Sequence, residues 1–250
     1  MMNKLLIFTY DKDIITRRGD DMYQDPENKR YIAVIGDIKK SKQSNDRSEL
    51  QKRLKAVLAD INLQYRSDIA SKFVITLGDE FQGLLQRGEH IMDILSVIEL
   101  RMHPIEIRFG IGIGKITTEI NPEMSLGADG PAYYYAREAV TKLKEREKKS
   151  KSAITDVLIT TGLKEDLSVM LLNALLSLLT VMKQGWTDRQ YEVILDYLQH
   201  GDNQAGVAGR LGITQSSVQK SLSNANFYSY KEAVDTISTT FLKLWGDVDD

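Results

Sequence analysis

The chain has 250 residues, 42% of them hydrophobic and 27% charged, the proportions of an ordinary globular protein with room for one large domain or two modest ones. Its formal net charge of −2 offers no global attraction to nucleic acid or to an anionic membrane, so any such binding needs a local patch. The absence of cysteine excludes disulfides, thiolate metal sites and a cysteine nucleophile, and His90, His103 and His200 are too scattered for a paired-histidine zinc site.

Residues 1–30 read as an irregular N-terminal extension, because acids and arginines follow the first apolar run too soon for a secretory signal. From Tyr31 the pattern becomes regular. "YIAVIGDI" is a continuous apolar strand-type run closing on Asp37, and Leu50, Leu54, Val57, Leu58 and Ile61 then recur at helical spacing. "KFVITL" and "FQGLL" predict two short strands around a turn at Gly78, Asp79 and Glu80. A helix carrying Ile91, Ile94, Leu95 and Ile98 follows, then the long strand "IEIRFGIGIGKI". The glycines of "GIGIG" lie inside a strand and lack the dinucleotide-binding spacing, so they point to close approach by a helix or by a ligand base. A helix from about Pro131 to the charged tail "KLKEREKKSK" and a strand "AITDVLIT" complete the unit.

The order β-α-β-β-α-β-α-β is a split βαβ core with an added helix and strand. In that topology the third strand runs back between the first two, so Asp37, Asp79 and Glu80 converge on one edge. Converged carboxylates need a compensating cation, and hard oxygen ligands suit Mg²⁺ or Mn²⁺ held together with substrate phosphates. Lys39, Lys40, Ser41 and Lys42 follow Asp37 as candidate phosphate contacts, the alternative being a solvated basic loop. "GADGPAYYYAREA" offers Asp129 and Arg137 to the same nucleotide.

"LSVMLLNALLSLLTVM", Leu167 to Met182, is short for a membrane span and is interrupted by Ser168, Asn173, Ser177 and Thr180. It predicts a buried helix at 166–183 linking a domain at 31–165 to another at 184–250. In the latter, Ala208, Gly212, Ile213 and Val218 occupy the positions expected of a helix-turn-helix, with Gln215, Ser216, Ser217, Gln219 and Lys220 as candidate DNA-binding residues. Its low positive charge predicts weak DNA binding by a single unit. The last helix places Val234, Ile237, Phe241 and Leu244 on one face beside Trp245, which predicts an exposed homodimer interface.

"GDEF" at Gly78 to Phe81 followed by "RFGIGIG" at Arg108 to Gly114 resembles the palm-type nucleotidyl cyclase and diguanylate cyclase superfamily, and "AYYYAR" at Ala132 to Arg137 is similar to the diguanylate cyclase helix motif. The resemblance sets Asp37 at the metal-binding first-strand aspartate and Tyr134 where class III cyclases carry an asparagine. Over its whole length, through "VIGDIKKSK", "LGDEFQGLL", "IRFGIGIG" and "GADGPAYYYAREA", the chain resembles the SatD family, which implies a bacterial stress-response setting. The expectation is an α+β split βαβ domain, ferredoxin-like and palm-type, followed by an all-α helix-turn-helix domain. Its expected role is that of a cytoplasmic regulator of nucleotide, metal and DNA, with no membrane partner. The alternatives are a metal-dependent nucleotidyl cyclase or nucleotide hydrolase, and a non-catalytic protein-interaction module.

Overall fold

In the computed structural model, which describes residues 29–39, 47–76, 78–149, 155–163, 166–201 and 203–245, the run "YIAVIGDI" forms the central strand β1 (Tyr31–Ile38). Around it lie β2 (Ile69–Ile75), β3 (Glu80–Leu85), β4 (Ile107–Gly114) and β5 (Val157–Thr160), in the order β2-β3-β1-β4-β5. β3 and β4 flank β1 antiparallel, and β5 joins β4 in parallel. The third strand does run back between the first two, as the split βαβ pattern requires.

Side-chain alternation gives the sheet two different faces. Ile32 and Val34 of β1, with Ile107, Phe109, Ile111 and Ile113 of β4, enter the main core with helices α1 (Arg47–Gln64) and α2 (Ile91–Met102). Ala33 and Ile35 face helix α3 (Pro131–Lys149) instead. The glycines of β4 lie on that second face, and they admit the helix rather than a ligand. A Cβ at Gly112 would fall 2.0 Å from the Ala132 carbonyl oxygen, and one at Gly110 would fall 2.2 Å from that of Ala136. Any larger residue there would push α3 off the sheet.

Five helices follow β5: α4 (Leu167–Gln184), α5 (Asp188–His200), α6 (Gln204–Leu211), α7 (Gln215–Asn224) and α8 (Phe227–Trp245). Each of the middle three starts at a capping side chain: Thr187 in a reciprocal capping box with Gln190, Asn203, and Thr214. α6 ends on Gly212, whose left-handed φ of 62° closes the helix, and Ile213 and Thr214 complete the short link to α7.

Two expectations about these helices are corrected. The apolar face of α8 is not exposed. Val234, Ile237, Phe241 and Trp245 are buried in the main core, and the Tyr230 and Ser96 hydroxyls meet across α8 and α2 at 3.2 Å. Conversely, α4 is buried along one side only. That side lies against β5, where the Asn173 side chain accepts from the Ile159 N–H (2.8 Å) and donates to the Ile159 carbonyl (3.0 Å). Thr180 accepts from the Asp156 N–H at 3.1 Å, and Lys183 is bonded to both oxygens of Glu99 on α2 at 2.5 Å. The main hydrophobic cluster therefore runs without interruption from the sheet into α5 to α8.

Candidate functional site

The site grows out of strand register. Asp37, next to last in β1, pairs with Glu80 of β3 on one side and with Arg108 of β4 on the other. Directly paired residues of antiparallel strands share a face, so Glu80, Asp37 and Arg108 form one row on the face covered by α3. The acidic turn closes beside this row. Gly78 takes a left-handed φ of 63°, the Thr76 N–H donates to the Glu80 carbonyl (2.8 Å), and the Ile38 N–H donates to the Asp79 carbonyl (3.0 Å). Residues about forty apart in sequence thus meet, as the topology predicts.

The cations facing these acids come from the protein itself. Asp37 is buried, its side chain 8% exposed, and its carboxylate takes Arg108 Nη1 at 2.7 Å on one oxygen and Lys144 Nζ at 2.6 Å on the other. Arg137 grips Glu80 with both terminal nitrogens, Nη2 to Oε1 at 2.7 Å and Nη1 to Oε2. Arg108 also bonds Glu147 at 2.5 Å. Lys39 reaches Asp156 at 2.6 Å, Glu147 at 3.0 Å and Glu106 at 3.5 Å. Opposite charges alternate along this chain of contacts, which is how so many can sit half-buried together.

Burial opposes the charged forms of Lys39 and Arg108. Asp156 and Glu147 around the lysine, and Glu147 and Asp37 around the guanidinium, outweigh it and hold both pKa values above their ordinary ones. Burial opposes the Glu147 carboxylate too, but hydrogen bonds from Arg108 and Lys39 overcome it, and its pKa lies below the ordinary carboxylate value.

Of the nucleotide contacts expected from sequence, Arg137 joins the row and Lys39 adjoins it, though Lys39 is engaged with three carboxylates. Lys40, Ser41 and Lys42 lie outside the described residues. Asp129 and Tyr134 bond each other at 2.7 Å near the start of α3. Tyr134 stands less than one helical turn before Arg137, the member of the row that holds Glu80. The sequence reading missed Arg108, Glu147 and Asp156 as members, whereas Lys144 belongs to the basic stretch 142–151 that it offered to phosphates, the alternative being a solvated helix end. Arg108 carried a usable signal, because it alternates with isoleucine and phenylalanine and stands on the glycine side of β4.

The residues expected to bind DNA, Gln215, Ser216, Ser217, Gln219 and Lys220, are all exposed on α7. Nearby Arg210 is bonded to Asp196 at 2.7 Å, so its charge is partly spent within the protein. A second cluster lies away from the acidic turn. Asp68, Glu89 and His90 bring three ligand atoms within 4.8 Å of one another, with His90 Nδ1 at 2.6 Å from Asp68. Two carboxylates and an imidazole have the donor chemistry of a metal site, which the wide spacing of the histidines concealed.

The SatD family model matches residues 31–238. No curated protein matches. Among solved structures, the chain is similar to a bacterial light-regulated adenylyl cyclase, with 17% identity, a TM-score of 0.38 and coverage of 54% of this chain and 77% of that one. It is similar to the guanylyl cyclase Cya2 at 14% identity and a TM-score of 0.31, covering 48% and 73%. A regulator of polyketide synthase expression from Bifidobacterium adolescentis aligns over 96% of this chain and 93% of its own, at 14% identity and a TM-score of 0.26.

Proposed function

The chain belongs to the SatD family, and we propose that it works as a nucleotide-responsive regulator. The nucleotide would bind with Mg²⁺ or Mn²⁺ at the charged end of β1, β3 and β4, and DNA would bind through α7. The observation that carries this reading is the in-register row Glu80–Asp37–Arg108 with Arg137 and Lys144 set against it.

Asp37 and Glu80, paired in register on one face, with Asp79 in the adjoining turn, are the carboxylates that would hold a hard divalent ion. Held by these residues, such an ion would supply positive charge against the phosphates. Arg108, Arg137 and Lys144 would then exchange carboxylate partners for phosphate oxygens, for which the planar guanidinium is suited. The side chains of Arg137 and Lys144 are 48% and 43% exposed, so they meet an incoming phosphate first.

The row also has a physical connection to the C-terminal helices. Lys39 holds Asp156, whose backbone N–H bonds Thr180 of α4. Rearranging the row would therefore bear on α4, which leads through Trp186 into α5. For the DNA arm, the short link into a capped α7 with five exposed polar side chains is the supporting arrangement.

Thermal unfolding of the full chain with a panel of nucleotides, with and without Mg²⁺ or Mn²⁺, tests the reading. A cognate nucleotide about 100-fold above its Kd stabilises the chain by about 2.7 kcal/mol, and Asp79→Asn loses the metal-dependent part while staying folded. The reading fails if no nucleotide moves the midpoint with either ion. Multiple turnover of ATP or GTP faster than about 1 s⁻¹ would instead make the protein an enzyme. In the DNA arm, retention of the gene's own upstream region falls with salt, and Lys220→Ala lowers the slope of that fall by about one. Retention that ignores both salt and Lys220 would leave α7 as a protein-docking element.

A further inference from the structure

Helix α4 shows water a stripe that no other part of the described residues covers. Leu167, Met170, Leu171, Leu178 and Val181 are between 57% and 68% exposed, and Ala174 is exposed among them. At about 100° per residue these six positions fall within an arc of roughly 100° on one side of the helix. No charged residue occurs from Leu167 to Met182. The five large side chains put on the order of 500 Å² of aliphatic surface in water, the upper range for a patch on an ordinary monomer.

The spacing of the stripe identifies what covers it. Counted from Ala174, Leu167 and Val181 lie seven residues before and after, and Met170 and Leu178 lie four before and after. Leu171 has Ser177 as its counterpart, but the other five positions are symmetric about the midpoint, so the stripe can meet itself when turned end for end. A twofold, isologous interface uses one such patch twice, each copy's residue meeting its counterpart on the other. The midpoint residue is small, which lets two helix backbones approach closely there.

We propose that α4 pairs with α4 of a second copy of this chain, antiparallel and crossing at Ala174. Leu167 then packs on Val181 of the second copy, and Met170 on its Leu178. Burying both stripes completely removes about 1,000 Å² from water, the lower limit for a biological interface. A bilayer is the other apolar partner a helix of this length and composition could meet, and α4 is the one helix among the described residues that qualifies for it. Spanning a bilayer would strip Asn173 from Ile159 and Lys183 from Glu99, whereas dimerisation leaves both in place. The inference is independent of the nucleotide reading. It adds that two copies of α7 would be presented together, although a single one carries little positive charge.

The chain has no cysteine, so Ala174→Cys creates a single thiol. With helix axes about 8 Å apart, two such thiols at the crossing lie within disulfide reach. Mild oxidation of the full-length variant is expected to yield a covalent dimer, while Leu63→Cys, also exposed but on α1, yields none. Sedimentation equilibrium from about 1 to about 100 µM, a range that brackets weak specific dimers, is expected to approach twice 28.3 kDa. Leu178→Asp is expected to return the protein to monomer at all of these concentrations with its folded circular dichroism unchanged. A parent chain that is monomeric throughout, or a dimer that Leu178→Asp leaves intact, would overturn the proposal. So would a monomer that floats with phospholipid vesicles, which would give the stripe to a membrane surface, or a monomer that dimerises only after residues 1–28 are removed, which would give it to that segment.

Discussion

Helices α4 and α8 have 18 and 19 residues, and both carry a long apolar stripe, yet α8 buries its stripe and α4 displays one. What each packs on accounts for the difference. α8 lies across α2, whose surface offers side chains, and a side-chain surface is matched by aliphatic and aromatic groups such as Val234, Ile237 and Phe241. α4 lies along the outer edge of β5, whose backbone offers an N–H and a carbonyl that no further strand among the described residues pairs. An edge of that kind needs polar groups as well as apolar ones. Asn173 supplies them as a side-chain amide standing in for the missing strand, with Thr180 one step further on, among Val169, Leu172, Leu176 and Leu179. The inner side of α4 is thus part polar and engaged, and its outer side is apolar and uncovered by the described residues.

The first way to break this contrast is to empty the buried stripe. Phe241 is fully buried, edge-on to Trp245 with ring centres 4.9 Å apart, and packs close to Ile32 and Gly88. Phe241→Ala is expected to lower the free energy of unfolding in urea by about 3–5 kcal/mol. A loss below about 1 kcal/mol would mean that α8 frays from α2 in solution and that its face is available after all.

The second sharpens it by sign. If α4 were held to β5 by apolar packing alone, Asn173→Leu would be neutral or stabilising. Because the change leaves both the Ile159 N–H and its carbonyl without partners, a loss of about 2 kcal/mol is expected instead. Hydrogen exchange at the Ile159 amide should accelerate in the same variant. Unchanged exchange would show that the bond is not kept.

How much of this was legible depended on whether a pattern fixes direction. The strand order was readable because apolar runs of strand length, a turn glycine and intervening helical periods leave few right-handed topologies, and that order places Asp37 beside Glu80. The row through Arg108 needed register as well, which depends on hydrogen-bond pairing rather than composition. The source of the compensating cation was not legible either. Carboxylates brought together require positive charge, but Lys144 and Arg137 reach them only because the glycines of β4 let α3 lie close to the sheet. For α4 and α8 the sequence reading reversed the exposed faces. An apolar residue count states how much can be buried and not on which side. The cue lay in the polar interruptions of α4, since Asn173 and Thr180 are seven apart and so mark one face, the one that turns inward.

The smallest expected effect is the most discriminating. Leu178 is 62% exposed, so replacing it with alanine removes side-chain atoms that are already largely in water within one copy of the chain. Substitutions at such positions change stability by no more than about 0.5 kcal/mol, and alanine is if anything the better helix former. Leu178→Ala should therefore leave the unfolding midpoint of dilute protein where it was, in contrast to the large loss at Phe241. If α4 pairs with a second copy, the parent midpoint rises with protein concentration, because association favours the folded state by mass action. The variant's midpoint should then rise less steeply and fall behind the parent's only as concentration increases. A deficit already present at the lowest concentration would locate the partner of Leu178 inside the same chain. The outer side of α4 would then be packed within one molecule, just as the inner side of α8 is.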